Sequence, residues 1–266
     1  MTKAISPPRR TRKKGPKPRY PHGLELEYQR AYRKLWGRFR DLVNSDAFTA
    51  KLQRLLTKYQ VNVTDGIDDE LDDVLTGIEV GEALVPDALL EQIAGAYARR
   101  VQDWNEAEAA RSIEGVRGIS VNLSEQSLMV QRETFVARNV RLIRGVAEEQ
   151  RKRIADAILE GIQAGRGIGD IQDAIGAAVD IGENRARLIA RDQVASYNGS
   201  LTEERMLANG VDKFIWSTSL DERVRASHAE LEGQVFEWAN PPIVDGEEAT
   251  PGIPVNCRCV AITVIE

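Results

Sequence analysis

The two cysteines of this chain, Cys257 and Cys259, are separated by one residue near its C-terminus. In a β-strand, residues i and i+2 point to the same face, so a strand at this apolar segment would direct both sulfurs to one centre. Two thiolates and the imidazole of His228 are three ligands suited to zinc. Asp221, seven residues before His228 and near the same predicted helix face, is the candidate fourth ligand. One interpretation of this pattern is a structural zinc site that pins the terminal strand to a short helix.

The same four residues also fit roles that involve no metal. The cysteines could be small hydrophobic side chains of a buried strand. They could form a local disulfide, although a strand separates residues i and i+2 by nearly the upper Cα–Cα limit of about 6.8 Å. His228 could be a hydrogen-bonded core residue, and Asp221 could cap a helix. Because the sequence lacks a second pair of ligands, the spacing does not decide between a metal site and a core.

The same residue types could also belong to an enzyme. In a thiol hydrolase one of the cysteines would be the nucleophile and His228 its base, and a nuclease could use Asp221, Glu222 and His228. A nucleophile must be accessible, whereas Cys257 and Cys259 stand at the start of an apolar segment. We therefore expect no catalytic residues and a structural role, with a DNA-acting or thiol-dependent enzyme (nuclease or hydrolase) as the alternative.

The N-terminus is strongly basic. Residues 1–20 contain eight Lys and Arg and no acid, together with four prolines and Gly15. This composition predicts an extended, disordered arm over residues 1–22. Such an arm can neutralise DNA phosphates without reading sequence, or it can solubilise the chain or dock on an acidic protein. The residues predicted to contact nucleic acid are Arg9, Arg10, Arg12, Lys13, Lys14, Lys17 and Arg19.

The overall composition is that of a soluble globular protein, with 42% hydrophobic and 29% charged residues and a net charge of −5. No apolar run approaches the roughly 18 residues that span a bilayer, and no apolar stretch follows the basic N-terminus as in a signal peptide. Two cysteines are too few for a disulfide framework, so we expect the protein to be made in a reducing cytoplasm. Residues 61–98, with ten acids and no Lys or Arg, are interpreted as a solvated face or a docking surface.

Apolar residues recur at steps of three and four through most of the chain, which predicts helices in series. The first stripe consists of Tyr28, Tyr32, Leu35, Trp36, Phe39, Leu42 and Val43. Gly165 is expected to end a long helix, and two further helices are predicted at 170–179 and 183–209. After residue 210, β-type segments at 212–219, 234–238 and 257–265 and the turn signals between them predict a small α+β module. The predicted fold class is mainly α, with an extended helical N-terminal and central region followed by this module. The predicted domains are a helical region at 23–123, a long-helix region at 124–210 and the module at 211–266.

Polar and aromatic landmarks follow one another in the last fifty residues. The motif W-x4-D-x-R-V-R-x2-H-x2-L-x-G runs from Trp216 to Gly233, and P-x2-P-x-N-C-R-C runs from Pro251 to Cys259. Together with the preceding helix RARLIARDQVASYNG, these motifs resemble the phage Mu F-like head morphogenesis family, also called minor head or minor capsid proteins. The resemblance covers about residues 130–266.

The resemblance implies a structural minor head protein of a tailed phage. Such a protein would be made in the host cytoplasm and located in the virion, in the phage head near the portal vertex. Its implied partners are the portal protein and, further, the major capsid or scaffolding protein and the viral DNA, which it could contact or accompany at ejection. No membrane partner is implied.

Overall fold

The computed structural model describes residues 13–59, 71, 74, 85–118 and 123–265. Among these residues the helices are α1 His22–Val43, α2 Asp46–Tyr59, α3 Asp87–Arg117, α4 Glu125–Gln163, α5 Ile168–Ala208 and α6 Ala226–Ala229. The strands are β1 Lys13–Lys14, β2 Lys213–Ser217, β3 Val235–Glu237, β4 Ile243–Val244, β5 Glu247–Glu248 and β6 Val260–Ile265. The predicted fold class, mainly α with a small α+β module at the C-terminus, is confirmed. None of the described helices is both long enough and apolar enough to cross a bilayer.

The chain divides into two compact units, each built from segments that are not contiguous in sequence. Within the described ranges, what we call the sheet unit comprises residues up to 22, 99–131 and 194–265. The helical unit comprises residues 23–98 and 132–193. Helices α3, α4 and α5 each contribute to both units, so the units do not follow the three consecutive regions that we predicted.

Helix α1 places one face in the core of the helical unit, as its periodicity predicted. Tyr28, Tyr32 and Trp36 are completely buried. The hydroxyls of Tyr28 and Tyr32 are 2.7 Å apart, and the Tyr28 hydroxyl donates to Asn139 Oδ1 at 2.9 Å. Trp36 Nε1 donates to Gln150 Oε1 at 2.7 Å. A buried polar group without a hydrogen bond destabilises the folded state, so these bonds allow the tyrosine, tryptophan and amide side chains to be buried together.

Helix α5 continues where we predicted a break. The sequence predicted separate helices at 170–179 and 183–209, whereas one helix runs over Ile168–Ala208. Gly182 does not end a helix but allows close packing: an added Cβ would overlap the Gln150 side-chain oxygen and lie 2.7 Å from Trp36 Nε1. A glycine that seems to interrupt a helical pattern is thus explained by its neighbours in space.

The glycine-rich segment 165–169 ends helix α4, as predicted. Gly165 has a φ of 62° and donates its N–H to the Ile162 carbonyl at 3.0 Å. The Arg166 N–H donates to the Gly161 carbonyl at 2.8 Å. This pair of bonds is a Schellman motif, in which a left-handed glycine lets the chain satisfy the last helical carbonyls.

The sheet unit contains an antiparallel sheet with the strand order β1-β6-β2-β3. Strands β2 and β6 pair from Lys213↔Val264 to Ser217↔Val260, and the strands predicted at these segments are confirmed. The loop after β3 contains a second hairpin, β4–β5. Its turn is formed by Asp245 and Gly246, whose φ values are 53° and 94°. An Asp-Gly pair suits such a turn because both positions require positive φ.

The structure differs from the predicted disordered arm over its second half. Lys13 and Lys14 form β1, an edge strand paired with Ile265 and Val264 of β6. Gly15 continues this pairing, since its N–H donates to the Thr263 carbonyl at 3.0 Å. Non-local backbone pairing therefore orders a segment whose composition indicated disorder. Residues 1–12 and most of the acidic segment 61–98 lie outside the described residues.

Candidate functional site

Three short segments of the sheet unit carry the residues predicted to bind metal. His228 lies in α6, a single helical turn in which the N–H groups of His228 and Ala229 donate to the Arg225 carbonyl. Cys257 follows a turn in which its N–H donates to the Pro254 carbonyl at 2.9 Å. Cys259 comes directly before strand β6. The histidine and the cysteines are about thirty residues apart in sequence, so only the fold brings their side chains together.

The donor atoms of His228, Cys257 and Cys259 converge. His228 Nδ1 is 3.4 Å from Cys259 Sγ and 3.5 Å from Cys257 Sγ, and all three donor atoms lie within 4.8 Å of one another. The three side chains are buried, with 2%, 3% and 6% of the residue surface exposed. We predicted that a strand would direct both sulfurs to one face, but both cysteines precede β6. The positive φ of Asn256 (57°) instead turns the chain at Cys257.

The surroundings of this cluster are partly apolar. Both cysteines belong to the hydrophobic core of the sheet unit, and the Trp216 ring meets His228 edge-on with centroids 5.6 Å apart. A cavity of about 30 Å³ also reaches the three side chains and is lined by Ser219, Asn256 and three arginines as well. The volume is sufficient for a water molecule or an ion. Both cysteines are free thiols.

The two thiols differ in acidity. The Cys259 S–H and N–H donate to the Cys257 sulfur, and the Gly252 N–H and His228 add to their effect. These groups lower the pKa of Cys257 to about 6, although burial acts in the opposite direction. The pKa of Cys259 is raised, because its proton is held by Cys257 and the residue is buried. Cys257 therefore loses its proton before Cys259 does.

His228 Nε2, the ring nitrogen that does not contact the sulfurs, has partners that the sequence did not predict. His228 Nε2 lies 2.8 Å from Arg225 Nη2 and 3.8 Å from Asp245 Oδ2. Asp245 accepts a hydrogen bond from the Ser227 hydroxyl at 2.8 Å and pairs with Arg225 at 3.4 Å. These contacts lower the pKa of Asp245, with the Ser227 bond the largest cause. The Asp-Gly dipeptide at 245–246 was the signal, since it predicts the turn that projects this carboxylate.

Asp221, the predicted fourth ligand, is used elsewhere. Its Oδ2 accepts a hydrogen bond from Arg258 Nη2 at 2.6 Å, and its Oδ1 accepts the Arg223 N–H at 3.1 Å. Although burial opposes the change, these donors lower the pKa of Asp221. Asp221 is absent from the group of converging donors. The structure thus joins three of the four predicted ligands, because an arginine that is part of the C-R-C motif takes the carboxylate.

The basic residues predicted to bind nucleic acid divide into three groups. Lys13 and Lys14 are exposed on the edge strand β1. Lys17 Nζ donates to the Thr218 carbonyl at 2.8 Å, and Arg19 forms a paired contact with Glu108 through Nε at 2.9 Å and Nη2 at 2.6 Å. The charge of Arg19 is therefore engaged within the protein. Arg9, Arg10 and Arg12 lie outside the described residues.

Residues 152–262 match the family model described as Phage Mu protein F like protein. The chain is 32% identical over 139 residues to minor head protein GP7 of Bacillus phage SPP1, covering 46% of this chain and 44% of GP7. It is 34% identical over 179 residues to an uncharacterized protein of Haemophilus influenzae, covering 66% of this chain and 39% of that protein. The chain thus spans less than half the length of these relatives. No solved structure matches the chain.

The matched region contains the landmarks that carried the resemblance in the sequence. Trp216, Asp221, His228 and both cysteines fall within it, as do helix α5 and the strands β2 and β3. The predicted resemblance to the phage Mu F-like family is confirmed: residues 152–262 of this chain match the model of that family.

Proposed function

We propose that the chain is a structural minor head protein of a tailed phage, attached at the portal vertex and required for head morphogenesis. One observation carries the proposal: the family match over residues 152–262, together with 32% identity to a protein named as a minor head protein. The major capsid or scaffolding protein is a further partner in the same proposal. The location that follows is the virion, inside or on the phage head.

The geometry of the thiols supports a structural role over the alternative of a thiol hydrolase. Cys257 and Cys259 are 3% and 6% exposed, and the cavity beside them admits only water-sized groups. A substrate carbonyl must come within about 3–3.5 Å of an attacking sulfur, which such a cavity does not allow. A nuclease centre using Asp221 is equally disfavoured, since Arg258 and Arg223 hold that carboxylate.

Portal attachment is tested by co-purification. The full chain is mixed with the portal protein encoded by the same phage, and complexes are resolved by size-exclusion chromatography with light scattering. A stable complex supports the proposal, and an unrelated portal protein is the control. Failure to bind both the cognate portal and procapsids would overturn it.

We further propose that the basic N-terminus contacts packaged DNA. Residues 1–20 carry eight positive charges, and Lys13 and Lys14 are exposed where β1 forms the edge of the sheet. Backbone phosphates bind such clusters through counterion release, without base contacts. The five residues Arg9, Arg10, Arg12, Lys13 and Lys14 are the candidates, because Lys17 and Arg19 bind groups of the protein itself.

Substitution tests this DNA contact better than deletion, because removing residues 2–19 would also remove β1. Replacing the five candidates by Gln should weaken binding to random-sequence duplex DNA. The slope of log affinity against log salt concentration should also decrease in magnitude by up to about 4. An equal change in charge on exposed helical positions is the matched control (Arg30, Lys34, Arg138, Arg141 and Lys152 to Gln). Equal losses in both variants would remove the arm from this role.

A further inference from the structure

We propose that His228 Nδ1 and the sulfurs of Cys257 and Cys259 bind one zinc ion. Zinc takes thiolate sulfur at about 2.3 Å and imidazole nitrogen at 2.0–2.1 Å, so these two donor types are about 3.5 Å apart around a tetrahedral ion. The observed distances from His228 Nδ1 to the two sulfurs are 3.4 and 3.5 Å. The histidine nitrogen is thus already at the zinc spacing from both sulfurs.

The space and charge beside the donors fit this ion. The cavity of about 30 Å³ lined by the three ligands is large enough for one ion. Zinc binding displaces the Cys259 proton to solvent, and the two thiolates then neutralise the charge of Zn²⁺. This matters because Arg223, Arg225 and Arg258 line the same cavity. Two of these arginines are paired with Asp221 and the third with Asp245, so they do not oppose the ion as isolated charges.

The outer side of the histidine provides the support that zinc ligands usually have. Metal-bound histidines generally donate their second ring N–H to a carboxylate or a carbonyl. Asp245 Oδ2 lies 3.8 Å from His228 Nε2, and the Ser227 hydroxyl and Arg225 hold this carboxylate in place. Asp245 is therefore a positioning residue for the metal ligand, presented by the turn between β4 and β5.

Metal binding must also change the histidine tautomer. In the structure Arg225 Nη2 lies 2.8 Å from His228 Nε2. Because a guanidinium only donates, Nε2 accepts and the ring proton is on Nδ1, facing the sulfurs. Zinc on Nδ1 requires the proton to be on Nε2, directed at Asp245. Binding of zinc thus moves this hydrogen bond from Arg225 to Asp245.

Such a site would join two parts of the sheet unit that have little regular structure. Helix α6 is a single turn, and Cys257 and Cys259 precede β6 at the end of a long loop. A bound ion links residues separated by about thirty positions, which is how metals stabilise small modules. The competing hypothesis, that the thiols are only core side chains, predicts the same burial but no metal and no change of tautomer.

Metal analysis of the full chain tests the proposal. Protein expressed with zinc should contain one zinc per chain, and Co²⁺ added to the metal-free protein should produce a thiolate-to-cobalt charge-transfer band. Chelation should lower the melting temperature of the wild type. Cys259→Ser and Cys257→Ala should bind less metal and should not respond to the chelator. Protein that is folded, free of zinc and unaffected by zinc or chelator would overturn the site and leave the core hypothesis.

The conservative variant Asp245→Asn keeps the proposal testable if the cysteine variants do not fold. It should retain one zinc at saturation but bind it about 10–100-fold more weakly. Because the chain has two histidines, ¹⁵N-histidine spectra are simple to assign. Zinc should move the ring proton of His228 from Nδ1 to Nε2 in the wild type. A tautomer that zinc does not change would contradict ligation by Nδ1, and unaltered affinity in Asp245→Asn would contradict the role of Asp245.

Discussion

The helical unit and the sheet unit obtain their specificity from different kinds of contact. In the helical unit, buried groups meet between long helices, as Trp36 and Gln150 do, and each helix presents them at periodic positions. In the sheet unit, turns and short strands contribute single side chains from distant segments. All three non-glycine residues with positive φ among the described residues, Leu220, Asp245 and Asn256, lie in the sheet unit. The core of the helical unit can therefore be predicted from local sequence periodicity, whereas the core of the sheet unit depends on pairing between distant segments.

Two glycines of helix α5 illustrate the difference between the contacts of the two units. Gly182 of α5 allows the Gln150 and Trp36 side chains of the helical unit to approach. Gly199, farther along α5, allows a loop of the sheet unit to approach, since an added Cβ would lie 2.7 Å from the Pro251 carbonyl. In the first case side chains oppose a substitution, and in the second case backbone does. Substitutions at these positions should therefore affect different properties.

Gly182→Ala should cause the largest loss of stability. The new methyl group would overlap the Gln150 oxygen and disturb its bond from Trp36, so overpacking and a weakened buried hydrogen bond act together. We expect the free energy of unfolding to fall by about 2–4 kcal/mol, measured by urea denaturation. The matched control is Gly176→Ala in the same helix, where nothing lies within 4 Å of the new Cβ. That variant should be about 0.5–1 kcal/mol more stable, and similar losses in both would refute the packing argument.

Gly199→Ala should have a smaller effect on stability but a specific effect on the thiols. Moving the loop at Pro251 costs about 1–3 kcal/mol and displaces Gly252, whose N–H contributes to the lowered pKa of Cys257. The pKa of that thiol should therefore rise, which is measured on the metal-free protein from the pH dependence of its alkylation. Gly182→Ala should leave this pH dependence unchanged. An identical titration of Cys257 in wild type and Gly199→Ala would contradict the proposed link.

Glu108→Gln should have the smallest effect on global stability and release residues 13–20. Arg19 donates to Glu108 through its side chain and its N–H, and despite burial these bonds lower the pKa of the Glu108 carboxyl. A lowered pKa means that the stabilisation is complete above the unfolded value of about 4.3 and is lost as the pH falls through the folded value. Acid should thus release Arg19 from Glu108 in the wild type, measured as faster amide hydrogen exchange over residues 13–20.

The variant Glu108→Gln should show that release already at neutral pH, measured with trypsin and mass spectrometry. Glu91→Gln, at an exposed position of α3 in the helical unit, is the control and should behave as the wild type. If cleavage after Arg19 proves equally slow in all three proteins, the Glu108 contact does not hold the segment.

Much of the fold was predictable from local patterns. The buried stripe of α1, the Schellman motif at Gly165 and the strands β2, β3 and β6 each depend on residues close in sequence. The division into units was not predictable in this way, because α3, α4 and α5 are shared between them. The continuity of α5 at Gly182 also depends on partners far away, since Trp36 and Gln150 explain that glycine.

For the candidate site, the sequence by itself determined which residue types are available: two thiols one residue apart, one nearby imidazole and an Asp-Gly turn. The tertiary structure decided their relationships. It brought His228 to both sulfurs, paired Asp221 with Arg258 and placed Asp245 behind the imidazole. The physical reason is the range of the interactions: helix periodicity and turn conformation are set by neighbours along the chain, whereas ion pairs and converging ligands depend on which distant segments the packed core brings within a few ångströms.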